Sequence, residues 1–108
     1  MTHPANITGE LERLSALLEV QTKDHEAAAV EEAAADVAYK RAKARAVLQV
    51  SGPNEAIRGA LAHQMVDSLY ERWRVAAGVH DAVKEKGRNL RAQLDSLRSI
   101  NANVRGQV

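Results

Sequence analysis

The chain has 108 residues, a formal net charge of +1, 27% charged side chains, two Pro, no Phe and no Cys. That leaves room for one domain and excludes disulfide and thiolate chemistry. With its many alanines, and only Tyr39, Tyr70 and Trp73 as aromatics, it points to all-α structure. No apolar run approaches the ~20 residues that span a bilayer, and the first residues lack a basic-then-apolar leader, so the expectation is a cytoplasmic protein with no membrane partner.

The small net charge hides a polarity. Residues 1–36 carry eight acids (Glu10, Glu12, Glu19, Asp24, Glu26, Glu31, Glu32, Asp36) against Arg13 and Lys23, a net of −6, while residues 37–108 carry thirteen Lys and Arg against six acids, a net of +7. Such halves can pair with each other, or the basic one can face a polyanion.

In chain order, residues 1–7 read as a disordered leader. Thr8 can cap a first helix over 8–50, with Glu10 and Glu12 favourably placed in its first turn. Leu11, Leu14, Leu17 and Leu18 give this helix a firm apolar stripe, and the alanines between His25 and Ala46 favour helix but pack thinly. Ser51-Gly52-Pro53-Asn54 is the one clear interruption: Gly52 suits a left-handed residue after the helix, Pro53 cannot continue it, and Asn54 can cap the next. A second helix is expected over 55–101, followed by a flexible tail at 104–108. The short link makes the two helices antiparallel neighbours, a helical hairpin forming a single domain over 8–103.

The second helix carries the strongest pattern. Val66, Leu69, Trp73, Ala76, His80, Val83, Gly87, Leu90, Leu94, Leu97, Asn101 and Val104 follow an unbroken 3-4-3-4 spacing. A narrow seam of that length must pack along another helix. A core of Ala, Leu and Val buries little area per residue, which makes a monomer of this size marginal. The pattern therefore predicts a coiled-coil-type homo-oligomer, with Leu69, Trp73, Ala76, Val83, Leu90, Leu94 and Leu97 as its seam. Gly87 on that seam is either a weak point or a place where another backbone comes close.

Catalytic and metal chemistry find little footing. His63 and Asp67 stand one turn apart and His25 lies near Glu26 and Glu32, but no further ligand converges and no HExxH or Cys/His pattern occurs. His80, on the seam, reads as a packing histidine. There is no G-x-S-x-G motif and no phosphate-cradling glycine loop, so neither an enzyme nor a bound cofactor is expected. The basic residues offer more. Lys40, Arg41, Lys43 and Arg45 fall within six positions, and chain reversal near residue 52 brings Arg58, Arg72 and Arg74 toward them. With Tyr39, Tyr70 and Trp73 in the same zone, the set matches what single-stranded nucleic acid needs: cations for phosphates and rings for bases. Against this stand the seam position of Trp73, which makes it core, and the ordinary solvation of charged outer faces.

An acidic, alanine-rich first helix leads into Tyr39-Lys40-Arg41-Ala42-Lys43-Ala44-Arg45-Ala46 and a turn at Ser51-Gly52. Leu69-Tyr70-Glu71-Arg72-Trp73 follows, then a basic segment from Ala82-Val83-Lys84-Glu85-Lys86-Gly87-Arg88-Asn89-Leu90 to Leu97-Arg98-Ser99-Ile100. Over roughly residues 25–100 this layout resembles the UvsY-type recombination mediators of phages. The resemblance implies a ring-like helical homo-oligomer that binds single-stranded DNA and helps load a recombinase onto strands coated by single-strand-binding protein, in a host cytoplasm. It also implies that Lys40, Arg41, Lys43 and Arg45 contact DNA, and that the segment around Leu90, Leu94 and Leu97 serves assembly. The chain departs from the pattern in its acidic N-terminal third. The rival reading is a structural or adaptor coiled coil that binds another protein and no nucleic acid, its −6 and +7 parts neutralising each other.

Overall fold

The computed structural model describes residues 4–106. Among these the only regular structure is helical, in three elements: α1 (Pro4–Gln49, 46 residues), α2 (Glu55–Met65, 11 residues) and α3 (Asp67–Gly106, 40 residues). No helix of the described residues is long and apolar enough to cross a membrane. The helices form two compact units, one from residues up to Glu26 together with those from Asp81 on, the other from Ala27–His80.

α1 begins four residues before the expected start at Thr8. Proline is at home in a first turn because its missing N–H would have no helical partner there, and Ile7, read as part of a leader, is fully buried. Thr8 is therefore an interior helical residue and not the cap. Residues 1–3 and 107–108 of the expected leader and tail lie outside the described residues.

The linker corrects one further expectation. Gly52 does not take a left-handed conformation. The space beside it is tight, since a Cβ would stand 3.1 Å from Ile57 Cγ2 and 3.3 Å from Arg58 Cγ and those side chains would have to give by a few tenths of an ångström. Asn54 does cap α2, its side-chain oxygen accepting from the Ile57 N–H at 3.0 Å. The second helix is not continuous. At Val66 the backbone leaves helical geometry (φ −116°, ψ 17°), and its N–H bonds back three residues to the His63 carbonyl at 3.1 Å. α3 restarts at Asp67, an acid favoured in a first turn, and runs to Gly106, past the expected end at Asn101.

In the unit containing both ends of the described chain, Leu14, Leu90 and Leu94 form a buried cluster, with Leu11, Leu18 and Leu97 against it. Gln21, two turns after Leu14, meets Val83, two turns before Leu90, so the α1 and α3 segments run antiparallel. In the other unit Tyr39, Ala46, Ala62 and Val66 form the core, with Ala42, Val50, Leu69, Tyr70 and Trp73 packed on it.

α1 itself carries a 3-4 repeat. Ile7, Leu11, Leu14, Leu18, Gln21, His25, Ala28, Glu32, Ala35, Tyr39, Ala42 and Ala46 are all buried or half-buried. The seam on α3 meets the same fate: every position from Val66 to Val104 in the 3-4 series is buried or half-buried within the chain's own two units. Of the residues expected to join subunits, Ala76, Leu90 and Leu94 are buried within the chain, and Leu69, Trp73, Val83 and Leu97 are half-buried.

Candidate functional site

The basic and aromatic residues near the linker belong to the Ala27–His80 unit. Tyr39 stacks on Trp73 with ring centroids 5.6 Å apart and an interplanar angle of 10°. Tyr70 leans on both, 5.3 Å from Tyr39 and 5.9 Å from Trp73. His63 closes the group, edge-on to Tyr70 at 4.9 Å, with its Nδ1 3.3 Å from the Tyr39 hydroxyl. Stacked and edge-to-face pairs of this kind stabilise a core. The stacked contact covers one face of the Tyr39 ring and one of Trp73, while Tyr70 and Trp73 stay half-exposed.

The cations do not gather into one patch. Successive helical residues are turned by 100°, so Lys43 and Arg45, two residues apart, fall on opposite flanks of α1 while Lys40 and Arg41 point outward. Lys40 pairs with Asp36 at 3.1 Å. The Lys43 ammonium sits 5.8 Å from the Tyr39 ring centroid, a modest cation–π contact. Arg72 pairs with Glu31 at 2.9 Å, and Arg58 donates to the Gly52 carbonyl at 3.0 Å. Arg41, Arg45 and Arg74 have no ion pair among the described residues.

Two features escaped the sequence. The first is an exposed apolar outer face on α1: Val30 is 70% exposed and Leu48 87%, with Val37 and Val47 also exposed. The second is a groove of 270 Å³ in the other unit, lined by Gln21, Thr22 and His25 of α1 and by Lys84, Gly87, Arg88 and Arg91 of α3. Gln21 is 4% exposed. Its amide donates to the Val83 carbonyl, and its Oε1 has no hydrogen-bond partner. On α3 in the same unit, Lys84, Arg91, Arg98 and Arg105 recur every seven residues, which sets them along one face.

His80 meets Glu32 through its Nδ1, which fits a packing histidine whose ring is held by a partner. Among the described residues no group of three His, Cys, Asp or Glu side chains converges as a metal site would require. No protein-family model matches the sequence, and no curated protein or solved structure is significantly similar to it.

Proposed function

We propose that this is a non-catalytic structural protein that works by self-association, the outer face of α1 in the Ala27–His80 unit docking onto a second copy. The observation that carries this reading is the exposed strip of Val30, Val37 and Leu48, flanked by Arg41 and Arg45, which lack ion pairs among the described residues. Exposed apolar strips of this kind mark association surfaces. A second copy offers the complementary chemistry. Its own Glu12, Glu19 and Glu26 recur every seven residues on the exposed side of α1, next to the exposed Val20. Apolar contact supplies the attraction, and the acid-to-arginine match selects register.

The test is a charge swap read by light scattering at low and moderate salt. The wild type should assemble at low salt. Arg41→Glu with Arg45→Glu should weaken assembly, as should Glu19→Arg with Glu26→Arg, and mixing the two variants should restore it. A monomeric wild type, or unchanged assembly in both variants, would overturn the reading.

Single-stranded DNA binding, with the recombinase loading implied by the mediator resemblance, is the second reading. What favours it is the Lys84, Arg91, Arg98 and Arg105 stripe rather than the Lys40–Arg45 group. Cations repeated along one helix face suit a phosphate chain, and their release of counterions makes binding fall steeply with salt. Fluorescence anisotropy of a labelled oligonucleotide, with Arg91→Gln and Arg98→Gln against Lys40→Gln and Arg41→Gln, separates the two basic groups. No binding at low salt would remove the reading altogether.

A further inference from the structure

We propose that the groove between Gln21–His25 of α1 and Lys84–Arg91 of α3 binds a small phosphate monoester that carries a hydroxyl. The inference is independent of self-association, because it rests on a different unit and different residues.

The cationic wall comes first. Lys84, Arg88 and Arg91 stand at i, i+4 and i+7 of α3, on one flank of that helix. Arg88 keeps a long 3.3 Å contact to Glu85, while Lys84 and Arg91 have no ion pair among the described residues. Two arginines and a lysine on one wall match a dianionic phosphate, to which a guanidinium can donate two parallel hydrogen bonds.

The floor asks for something more than an anion. Gly87 has no side chain, and the Gln21 side chain crosses at that point; a Cβ on Gly87 would lie 2.8 Å from Gln21 Nε2. With Nε2 committed to the Val83 carbonyl, Gln21 Oε1 is a buried acceptor without a donor. A buried polar atom left in that state carries a desolvation cost that a partner would remove. Thr22 adds to the acceptor side, since its hydroxyl hydrogen goes to the Leu18 carbonyl at 3.0 Å and leaves its lone pairs for an incoming donor. Cations on one wall and acceptors on the floor together select a ligand with both a phosphate and a donor next to it. A volume of 270 Å³ lies just under the ~300–1,000 Å³ of drug-sized sites, which suits a sugar phosphate.

The test uses the full chain, titrated with ribose 5-phosphate, inorganic phosphate and free ribose, and followed by the side-chain amide signal of Gln21 and the backbone amide of Gly87. The expected result is a saturable shift of both signals, with the ester binding at least tenfold more tightly than either fragment. Lys84→Gln with Arg91→Gln, both exposed positions, should weaken the ester tenfold or more. Gln21→Met, close in volume but without the acceptor, should reduce the ester to the affinity of inorganic phosphate, with a thermal melt by circular dichroism confirming that it folds. Shifts absent from Gln21 and Gly87, or an ester affinity unchanged in the Lys84/Arg91 variant, would overturn the proposal. So would displacement of the ester by an unphosphorylated oligonucleotide, since capture of polyanions along the arginine stripe would then account for the binding.

Discussion

A methyl group on Gly87 would stand 2.8 Å from the side-chain nitrogen of Gln21, so these two residues define each other's space across α1 and α3. Gly87→Ala brings two opposed effects. Alanine favours helix over glycine by about 1 kcal/mol. Displacing the Gln21 amide breaks its bond to the Val83 carbonyl and strands buried polar atoms, at about 1–3 kcal/mol. In the wild-type background Gly87→Ala should therefore be neutral to destabilising by up to about 2 kcal/mol. In a Gln21→Ala background the clash is gone, and the same change should stabilise by about 1 kcal/mol. Urea denaturation of the four proteins measures this reversal of sign; equal effects in both backgrounds would mean that the two side chains do not share the space.

The sequence made the α3 seam legible because most of its positions are apolar. The matching repeat on α1 was hidden by Gln21, His25 and Glu32, polar residues on seam positions. Partners lie across the helix pair, the Val83 carbonyl for Gln21 Nε2 and His80 for Glu32, and a count of apolar residues cannot see them. The break at Val66 has no Gly or Pro to announce it, and Asp67 and Ser68, residues that favour a helix start, were its only sign. The Lys40–Arg45 group illustrates the opposite failure. Proximity in sequence suggested one patch, while the 100° turn per residue spreads the four cations around α1. What Gly87 makes room for depends on a residue 66 positions away, which no local pattern encodes.

Trp73 should matter for stability and not for nucleic acid. Its ring stacks on Tyr39 and meets Tyr70, and it is half-buried against the Tyr39–Val66 core. Trp73→Ala should cost toward the low end of the ~3–5 kcal/mol range for large aromatic truncations, because part of the ring already faces water. Tyr39→Phe should cost about 0.5–1 kcal/mol, since it removes a long bond to His63 and leaves the stacking intact. Denaturation midpoints check both. If Trp73→Phe, which preserves packing, selectively weakened oligonucleotide binding, the ring would be acting as a base platform after all.

The cap of α2 gives a smaller, cleaner expectation. Asn54 accepts from the Ile57 N–H at 3.0 Å, and α2 is short enough, at 11 residues, to depend on that bond. Asn54→Ala should destabilise by about 0.5–2 kcal/mol, while Asn54→Asp should hold or gain, because a negative charge at a helix N-terminus is favourable. Hydrogen exchange of the α2 amides should rise in the alanine variant and stay unchanged in the aspartate variant. Equal exchange in both would assign the start of α2 to tertiary packing rather than to its cap.

Leu94 decides what the α3 seam is for. It is buried in the cluster with Leu14 and Leu90, so Leu94→Ala should remove about 2–5 kcal/mol of stability by leaving a cavity. A seam that joined subunits would behave differently: the variant would lose assembly first, and its remaining monomer would melt much as before. Light scattering and urea denaturation on the same samples separate these outcomes. The expected pair of results is an unchanged assembled mass below the unfolding transition and a clearly lowered midpoint. Leu94→Asp sharpens the contrast, because a carboxylate placed among Leu14 and Leu90 has no partner there and its burial is costlier than the cavity. That variant should lose helical signal at low denaturant as Leu14 and Leu90 separate. Retention of full helicity with loss of assembly would return the seam to the subunit interface.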